Sequence, residues 1–374
     1  MVYRGLSPST GKPIEVEVAD GKISAVKASD QPASAWIAPG FIDLQVNGFA
    51  GVDYNSPDTP LDEIARSLEV QRETGVTQLL PTIITGSHEN ITGSLANLAK
   101  AKRELEFGRS MVGFHVEGPW ISPEDGPRGA HPREHTRAAT VEEFKQFQDA
   151  AEGDLRLLTV APEVAGTLEV TEYAVGTGVT VAIGHTNATE SDIRNAISAG
   201  ATMSTHLGNG AHQTIPRHDN YITHQLAADE LCAGLIVDGI HLPGSFVTVA
   251  LRSKGLHNTV LVTDAVPPAG CEPGVYTCGH IEVRLSEDGS VRLTSNGRLA
   301  GSALKMDRAV ENLMRFTGLS LEESLTTATV NAAAAIKLEG RMGGLQAGDD
   351  ADLILFEPSE AGEIKVVEAV VSQR

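Results

Sequence analysis

Short apolar segments alternate with segments of helical periodicity through most of the chain. Eight of the apolar segments have the length and composition of buried strands, and they cover residues 41–47, 76–84, 111–117, 157–161, 179–185, 202–206, 233–238 and 259–264. Helical patterns fill most of the gaps, at residues 60–74, 90–105, 141–150, 165–177, 191–199 and 244–253. Eight parallel strands with intervening helices indicate an α/β fold of the (β/α)8 TIM-like barrel type.

Both ends of the chain carry short segments in which apolar and polar residues alternate. One pair of such segments lies within residues 14–26, and a second pair lies within residues 351–371. Each pair is too small to fold alone, so pairing between the two ends is expected. We therefore predict a small β-sandwich domain formed by residues 1–38 and 345–374, with a barrel of residues 39–344 inserted between its halves.

Three further elements are expected after the eighth strand. Residues 279–293 alternate and contain Asp288-Gly289, which predicts a hairpin insertion. Residues 305–317 have helical periodicity. Ser320 is followed three residues later by Glu323, and this capping-box spacing predicts the start of another helix.

Amide and ionisable side chains stand at the ends of several predicted strands. They are Gln45 and Asn47 in the first strand, Glu117 in the third, His185 in the fifth, His206 in the sixth and Asp264 in the eighth. The carboxyl ends of barrel strands converge on one face, and that face holds the active site. One carboxylate and two imidazoles provide a site for Zn²⁺ or Fe²⁺, and Asp264 is then placed to act as a general base.

Each of these residues also has a purely structural explanation. A single histidine after an apolar run is commonly a hydrogen-bonded core residue. Glu117 alone is consistent with a salt-bridged strand end, and Asp264 with a helix N-cap. Asp238 is interpreted as a turn residue before Gly239, and Cys232 as a core residue. The metal site is favoured because four ligand-type residues rarely coincide with four strand ends by chance.

A set of short motifs resembles those of one enzyme family. The motifs are Pro39-Gly40-Phe41-Ile42-Asp43 followed by Gln45-x-Asn47-Gly48, then His115-x-Glu117-Gly118-Pro119, Gly184-His185-Thr186-Asn187-Ala188-Thr189, Thr205-His206-Leu207-x-Asn209, Asp238-Gly239-x-His241, Thr263-Asp264-Ala265 and Leu299-Ala300-Gly301-Ser302. Residues from about 36 to 356 are similar to the N-acetylglucosamine-6-phosphate deacetylases, a branch of the amidohydrolase superfamily. Each motif is weak alone, whereas their combination is specific.

The resemblance implies functions for particular residues. The matching positions are Glu117, His185 and His206 for the metal, Asp264 and His131 for catalysis, and Asn209, Gly210, Arg217 and His241 for the sugar phosphate. In this family the aspartate is the acid/base, and the catalytic histidine helps to polarise the substrate carbonyl. The family usually takes some phosphate contacts from a partner subunit, so a homodimer is expected.

The expected number of metal ions depends on which residues occupy two ligand positions on the first strand. Many amidohydrolases have a His-x-His pair of ligands there, whereas this chain has Gln45 and Asn47. Neutral amides are weak ligands, so these two positions are expected to be vestigial. The resemblance therefore implies one divalent metal per chain, with Zn²⁺ as the first candidate and Fe²⁺ or another ion as the alternative.

The sequence departs from the family pattern on the sugar side of the site. After Asn209 the usual Ala-Met-Pro is replaced by Gly210-Ala211-His212, and residues 216–221 replace a Gly-rich segment. Arg217 in that segment has an alternative role as a surface residue paired with Asp219. The predicted reaction is metal-dependent hydrolysis of the acetamide of an N-acetyl amino sugar phosphate, with N-acetylglucosamine 6-phosphate as the first candidate.

Two other functions remain open at this stage. The first is an amidohydrolase that acts on a different N-acyl or cyclic amide, or on an unphosphorylated or epimeric N-acetyl sugar. The second is a binding protein on a barrel scaffold that has lost catalysis. Asp264 argues against the second function, because a protein that only binds has no need of a base at that position.

Composition and charge restrict the partners and the compartment. The 374 residues carry a formal net charge of −20, which argues against nucleic acid or an anionic membrane surface as a partner. The three cysteines lack a Cys-x-x-Cys spacing and favour a reducing compartment. No run of about 18 apolar residues is present. We therefore expect a cytoplasmic enzyme with a small-molecule amino sugar substrate.

Overall fold

A computed structural model describes residues 1–279, 281–341, 344–358 and 363–372. Its strands are β1 (Val2–Leu6), β2 (Pro13–Ala19), β3 (Lys22–Ala28), β4 (Trp36–Pro39), β5 (Phe41–Val46), β6 (Gly48–Phe49), β7 (Val52–Asp53), β8 (Val76–Ile84), β9 (Phe114–Glu117), β10 (Leu155–Val160), β11 (Thr180–Ile183), β12 (Met203–Ser204), β13 (Cys232–Leu235), β14 (Thr259–Leu261), β15 (Gly274–Cys278), β16 (Ile281–Leu285), β17 (Val291–Leu293), β18 (Leu353–Pro358) and β19 (Ile364–Val370).

The helices of the described residues are α1 (Leu61–Glu73), α2 (His88–Glu104), α3 (Val141–Ala150), α4 (Thr167–Gly176), α5 (Glu190–Ser198), α6 (Tyr221–Ala227), α7 (Gly244–Lys254), α8 (Met306–Thr317), α9 (Leu321–Thr327) and α10 (Val330–Ala335). Within these same ranges, no helix is long and apolar enough to cross a membrane. Parts of the predicted elements lie outside the described residues: residue 280 of the insertion, residues 342–343 of the barrel, and residues 359–362 and 373–374 of the terminal domain.

Eight parallel strands form the predicted barrel. Their order is β5, β8, β9, β10, β11, β12, β13 and β14, so each strand pairs with the next barrel strand along the chain. Helices pack outside, so the strands are buried on both faces. In β11, for example, Val181, Ala182 and Ile183 are all fully buried. The architecture therefore places the end of every barrel strand on one common face.

The barrel is closed by contacts between the first and last of its strands. The amide of Asp264 donates to the carbonyl of Gln45 over 2.9 Å, and Val46 forms a parallel bridge with Ala265. Below them, the buried carboxylate of Asp43 accepts from the Thr263 hydroxyl at 2.5 Å and from the Thr263 amide at 3.2 Å. These bonds fix the end of the eighth strand against the first.

The two ends of the chain share one β domain, as predicted. Its six strands are hydrogen-bonded in the order β19, β18, β4, β1, β2 and β3. β4 pairs with β1 on one side and with β18 on the other, which joins the N-terminal and C-terminal strands. An antiparallel bridge between Lys22 and Asp350 also connects the start of β3 to the residues before β18. Val16, Ile23, Ile37 and Leu353 form its own apolar cluster, while Phe356 packs into the main core.

The insertion after the barrel differs from the predicted hairpin by one strand. β16 and β17 form the hairpin, and β15 pairs with the other edge of β16 to make a three-stranded antiparallel sheet. β15 is only five residues long, and it precedes the alternating segment of residues 279–293 from which the hairpin is predicted. The insertion's apolar cluster includes Val266, next to the end of the eighth strand, and Ala130 packs against it.

Local capping explains where two of the helices begin. The predicted capping box of Ser320 and Glu323 opens α9, and a second one of Thr189 and Asp192 opens α5. The seven-residue α6 was not predicted, because it is too short to show a clear helical period. Its N-cap is Asn220, whose side chain accepts from the amide of the third helical residue, Thr223.

Candidate active site

The predicted site residues lie at the carboxyl end of the barrel, but most of them follow the strands rather than belong to them. Glu117 is the last residue of β9, whereas His185 and His206 come two residues after β11 and β12, and Asp264 follows β14. His185, His206 and Asp264 have φ angles of +50°, +28° and +51°. For residues other than glycine this conformation costs on the order of 1–3 kcal/mol, and such residues cluster at functional sites.

Glu117, His185 and His206 form a cluster that could hold a metal ion. The Nε2 atoms of His185 and His206 each lie 3.0 Å from Oε1 of Glu117, and they lie 3.0 Å from each other. A tetrahedral Zn²⁺ with bonds of about 2.0–2.1 Å has ligand atoms about 3.3 Å apart. The three atoms are therefore arranged as ligands on one face of such an ion, which leaves a further position for water or substrate.

The hydrogen bonds of the His185 and His206 rings indicate which of their nitrogens can bind a metal. Nδ1 of His185 donates to the carbonyl of Pro127 over 2.8 Å, so in the neutral ring Nε2 carries the lone pair that a metal requires. Nδ1 of His206 is buried and has no hydrogen-bond partner among the described residues. The ring of His206 is instead fixed by its contacts with Glu117 and His185.

Glu117 is a buried carboxylate that keeps its charge. Burial acts to raise its pKa, but when the His185 and His206 rings are protonated, their hydrogen bonds and charges hold the pKa well below its ordinary value. Glu117 in turn raises the pKa of His206, against the effect of burial. A charged carboxylate in the interior is costly unless positive charge or donors compensate it, and a divalent cation at the same place would do so.

Gln45 and Asn47 connect the cluster to Asp264 instead of completing a second metal site. Nε2 of Gln45 donates to Oε2 of Glu117 over 3.1 Å and to Oδ1 of Asp264 over 3.2 Å. Nδ2 of Asn47 donates to the same Oδ1 over 2.7 Å. The amides therefore act as donors that hold two carboxylates in place. This geometry opposes their use as metal ligands, because the donating nitrogen faces the carboxylates.

Asp264 is partly buried beside the metal cluster. Burial and then the charge of Glu117 raise its pKa to about 6, while the charges of His206 and His241 and the hydrogen bond from Asn47 lower it. A carboxyl with a pKa close to the working pH can both accept and return a proton. Both amide hydrogen bonds are made to Oδ1, and among the described residues none is made to Oδ2, so Oδ2 is available for that proton.

His131 completes the inner part of the site. Its ring centre is 4.2 Å from that of His185, and its Nδ1 forms a 2.9 Å hydrogen bond with the hydroxyl of Thr85. Burial, followed by the positive charge of His185, places the pKa of His131 well below its ordinary value. The ring is therefore neutral at neutral pH, and it can donate a hydrogen bond through the nitrogen that bears its proton.

The residues predicted to contact the sugar phosphate are more widely spread. Asn209 donates to the carbonyl of His206 through its backbone amide over 2.9 Å. Gly210 has φ +55°, and an added Cβ would lie only 2.8 Å from Nδ1 of His185, so the close approach requires glycine. Arg217 is exposed, and the predicted alternative pairing with Asp219 is not found, because that carboxylate binds His224 instead.

His241 is hydrogen-bonded to Asp238, which the sequence predicts to be only a turn residue. Oδ2 of Asp238 accepts from Nδ1 of His241 at 2.6 Å, and both side chains are buried. The spacing of three residues in Asp238-Gly239-x-His241 is the signal that could have predicted this contact, because a tight turn brings such residues together. Cys232, interpreted as a core residue, lies at the start of β13 and packs against the main core.

A barrel with a Glu–His–His cluster and an adjacent, partly buried aspartate at its strand ends is typical of the class of metal-dependent hydrolases. The Amidohydrolase family model matches residues 36–372, and the chain belongs to this family. The chain is 33% identical to N-acetylglucosamine-6-phosphate deacetylase of Bacillus subtilis (strain 168), over 91% of this chain and 88% of the relative. It is 32% identical to N-acetylgalactosamine-6-phosphate deacetylase of Escherichia coli O157:H7, over 92% and 90% of the two chains.

Solved structures share the complete architecture. The N-acetyl-D-glucosamine-6-phosphate deacetylase of Mycobacterium smegmatis, as an aspartate-to-alanine mutant in complex with N-acetyl-D-glucosamine-6-phosphate, has a TM-score of 0.86 at 30% identity. The similarity covers 96% of this chain and 95% of that one. The corresponding Thermotoga maritima enzyme has a TM-score of 0.87 at 28% identity, over 100% and 98% of the two chains. The barrel and the terminal sheet are therefore features of the group.

Proposed function

We propose that this protein hydrolyses the acetamide of an N-acetyl amino sugar phosphate, with N-acetylglucosamine 6-phosphate as the first candidate substrate. The products are acetate and the free amino sugar phosphate. The observation that carries the proposal is the Glu117–His185–His206 cluster with Asp264 held beside it by the amide of Gln45. Relatives that share about a third of the sequence carry this activity in their names.

Glu117, His185 and His206 would hold one divalent cation, with Zn²⁺ as the first candidate and Fe²⁺ as the alternative. When bound, the ion supplies Lewis-acid polarisation of the amide carbonyl and lowers the pKa of water. The fit rests on the three convergent ligand atoms and on the Nδ1-protonated form of His185, which leaves Nε2 free to bind.

The remaining residues of the site have defined tasks in this proposal. Asp264 accepts a proton from the attacking water through Oδ2 as the water oxygen adds to the acetyl carbon. It returns that proton to the leaving nitrogen as the carbon–nitrogen bond breaks. Neutral His131 donates a hydrogen bond to the carbonyl oxygen, on which negative charge develops. Gln45 and Asn47 keep Oδ1 of Asp264 occupied, so that the other oxygen faces the reaction.

A panel of substrates tests the reaction and the choice of sugar. Acetate release is measured with the 6-phosphates of N-acetylglucosamine and N-acetylgalactosamine, with both unphosphorylated sugars, and with one cyclic amide. We expect the highest kcat/KM for a sugar phosphate. The two epimers are compared directly because the relatives include enzymes named for each. Failure to release acetate from all four sugars would refute the proposed function.

The purified protein is expected to contain one equivalent of tightly bound divalent metal. The described residues provide one Glu–His–His cluster, and the amides of Gln45 and Asn47 donate to carboxylates rather than offer oxygen to an ion. Elemental analysis after gel filtration measures the ratio and identifies the metal. Two full equivalents would contradict this expectation. Removal of the metal by a chelator should abolish acetate release, and its return should restore it.

Arg217 is proposed to bind the substrate phosphate. A net charge of −20 repels a sugar phosphate at long range, so the pocket needs local positive charge. Loss of a charge-assisted contact of about 1.5–3 kcal/mol predicts a tenfold to hundredfold fall in kcat/KM for the phosphorylated sugar in Arg217→Ala. Kinetics on the unphosphorylated sugar should barely change.

Arg252→Ala provides the control for Arg217→Ala, since Arg252 is also exposed but lies in the last turn of α7. This control should leave both substrates unaffected. Equal losses for phosphorylated and unphosphorylated sugars in Arg217→Ala would assign Arg217 a structural role. Equal kinetics of the unaltered enzyme on both sugars would show that it has no phosphate site.

We further propose that the protein is a homodimer and that it acts in the cytoplasm. The loop of residues 211–219 is largely exposed and carries Arg217, which is consistent with a site that is completed by a second subunit. Light scattering after gel filtration measures the mass directly. A monomer with full activity would contradict the dimeric part of the proposal and leave the proposed reaction unaffected.

A further inference from the structure

The turn that follows β13 contains a buried aspartate–histidine pair. Oδ1 of Asp238 accepts from the backbone amides of Ile240 and His241, each over 2.8 Å, and this closes the turn. Oδ2 of the same carboxylate accepts from Nδ1 of His241 at 2.6 Å. The side chains of Asp238 and His241 are 8% and 7% exposed, so water competes little with this bond.

The carboxylate of Asp238 accepts one more hydrogen bond than is needed to close the turn. Oδ1 alone satisfies the two backbone donors, whereas Oδ2 is used entirely on the imidazole ring. The loop is also anchored from outside, because Nδ2 of Asn312 donates to the carbonyl of Val237 over 2.8 Å. Asp238 therefore holds the ring of His241 on a backbone that is itself fixed.

The bond to Asp238 defines which nitrogen of His241 is available. Nδ1 carries the proton that is donated to the carboxylate, so Nε2 is left for another partner. Among the described residues, no hydrogen bond joins Nε2 to the protein. The ring also lies close enough to Asp264 that it would lower the pKa of that carboxyl whenever it carries a positive charge. Nε2 is therefore available within the neighbourhood of the predicted base.

We propose that Asp238 is a positioning residue that holds His241 with Nδ1 protonated, so that its unprotonated Nε2, near Asp264, accepts a hydrogen bond from a hydroxyl of the sugar phosphate. The proposal rests on the proposed function for the identity of the ligand. It adds that the contribution of His241 to substrate binding depends on the Asp238 carboxylate, and that the two residues act as one unit.

Asp238→Asn separates this role from the role of Asp238 in the turn. The two backbone donors keep the amide oxygen in place of Oδ1, and the amide nitrogen then faces His241. That nitrogen can only donate, so Nδ1 of the ring must give up its proton and the other tautomer forms. We expect kcat/KM for the sugar phosphate to fall about tenfold to hundredfold, chiefly through KM, with the metal content unchanged.

Asp288→Asn is the matched control. Asp288 also accepts a backbone amide two residues later, from Ser290 over 2.9 Å, but it is exposed at the tip of the hairpin and has no histidine partner among the described residues. This control should leave kcat, KM and metal content as they are. A loss equal to that of Asp238→Asn would overturn the proposal.

Two further measurements distinguish positioning from general structural support. If Asp238 acts through His241, the double variant Asp238→Asn/His241→Ala should lose no more activity than His241→Ala alone, whereas additive losses would overturn the proposal. Nitrogen-15 NMR of His241 reports the tautomer without any substrate. A ring protonated at Nδ1 in the unaltered protein and at Nε2 in Asp238→Asn supports positioning, and an identical tautomer in both refutes it. The NMR result stands even if no acetate is released, so the two proposals can fail separately.

Discussion

Asp264→Asn is expected to lower kcat by about two to four orders of magnitude while the protein keeps its full equivalent of metal. The amide has the shape of the carboxylate but cannot accept a proton from water. It also loses the property that suits Asp264 to the reaction, a pKa raised to about 6 by burial and by the charge of Glu117. Acetate release and elemental analysis on the same preparation measure the two effects.

Asp307→Asn is the control for Asp264→Asn. Burial also raises the pKa of Asp307 to about 6, but this residue lies in the first turn of α8. The control variant should retain the activity of the unaltered enzyme. Near-native turnover in Asp264→Asn would show that Asp264 is not the base, and loss of the metal would show that it serves mainly as a ligand.

The barrel could be predicted from the sequence because buried parallel strands are continuous apolar runs that end abruptly. Glu117 ends one such run, and the next residues, Gly118 and Pro119, stop the strand. Ligand-type residues at strand ends were therefore visible without a structure. His185 and His206 are found in the cluster with Glu117 that their positions predicted, even though both lie two residues beyond their strands.

Contacts between residues far apart in the chain could not be predicted from the same pattern. Gln45 is 72 residues from Glu117 and 219 from Asp264, and its orientation toward both depends on how the barrel closes. The sequence places Gln45 at the site as a vestigial ligand. It does not reveal that the Gln45 side chain donates hydrogen bonds to both carboxylates. The closure bond between Asp43 and Thr263 was equally hidden, because each residue is an ordinary strand residue in its local sequence.

The terminal domain shows a different limit of sequence patterns. The alternating pattern predicts the strands at both ends, yet the order of those strands depends on which edges pair. β4 has one residue paired with β1 and four paired with β18, and this single strand converts two groups of strands into one sheet. Alternation reports which face of a strand is buried, but it contains no information about the neighbour.

Glu117→Gln should have the largest effect on the metal and on the activity together. The amide is neutral, so the cluster loses the only negative charge that its three predicted ligands supply. We expect metal affinity to fall by more than about a hundredfold, which exceeds the usual loss for removing a residue that only orients a ligand. Acetate release should fall to background under conditions in which the unaltered enzyme keeps one equivalent of metal.

Glu163→Gln is the matched control, because Glu163 is also a largely buried carboxylate on the same side of the barrel, where it accepts from Thr186 and Asn187. Its substitution should leave the metal content at one equivalent. Full metal content in Glu117→Gln would exclude Glu117 as a ligand and refute the proposed centre. Together with Asp264→Asn, the variant separates two tasks of neighbouring carboxylates: Glu117→Gln should lose the metal and the activity, whereas Asp264→Asn should lose the activity alone.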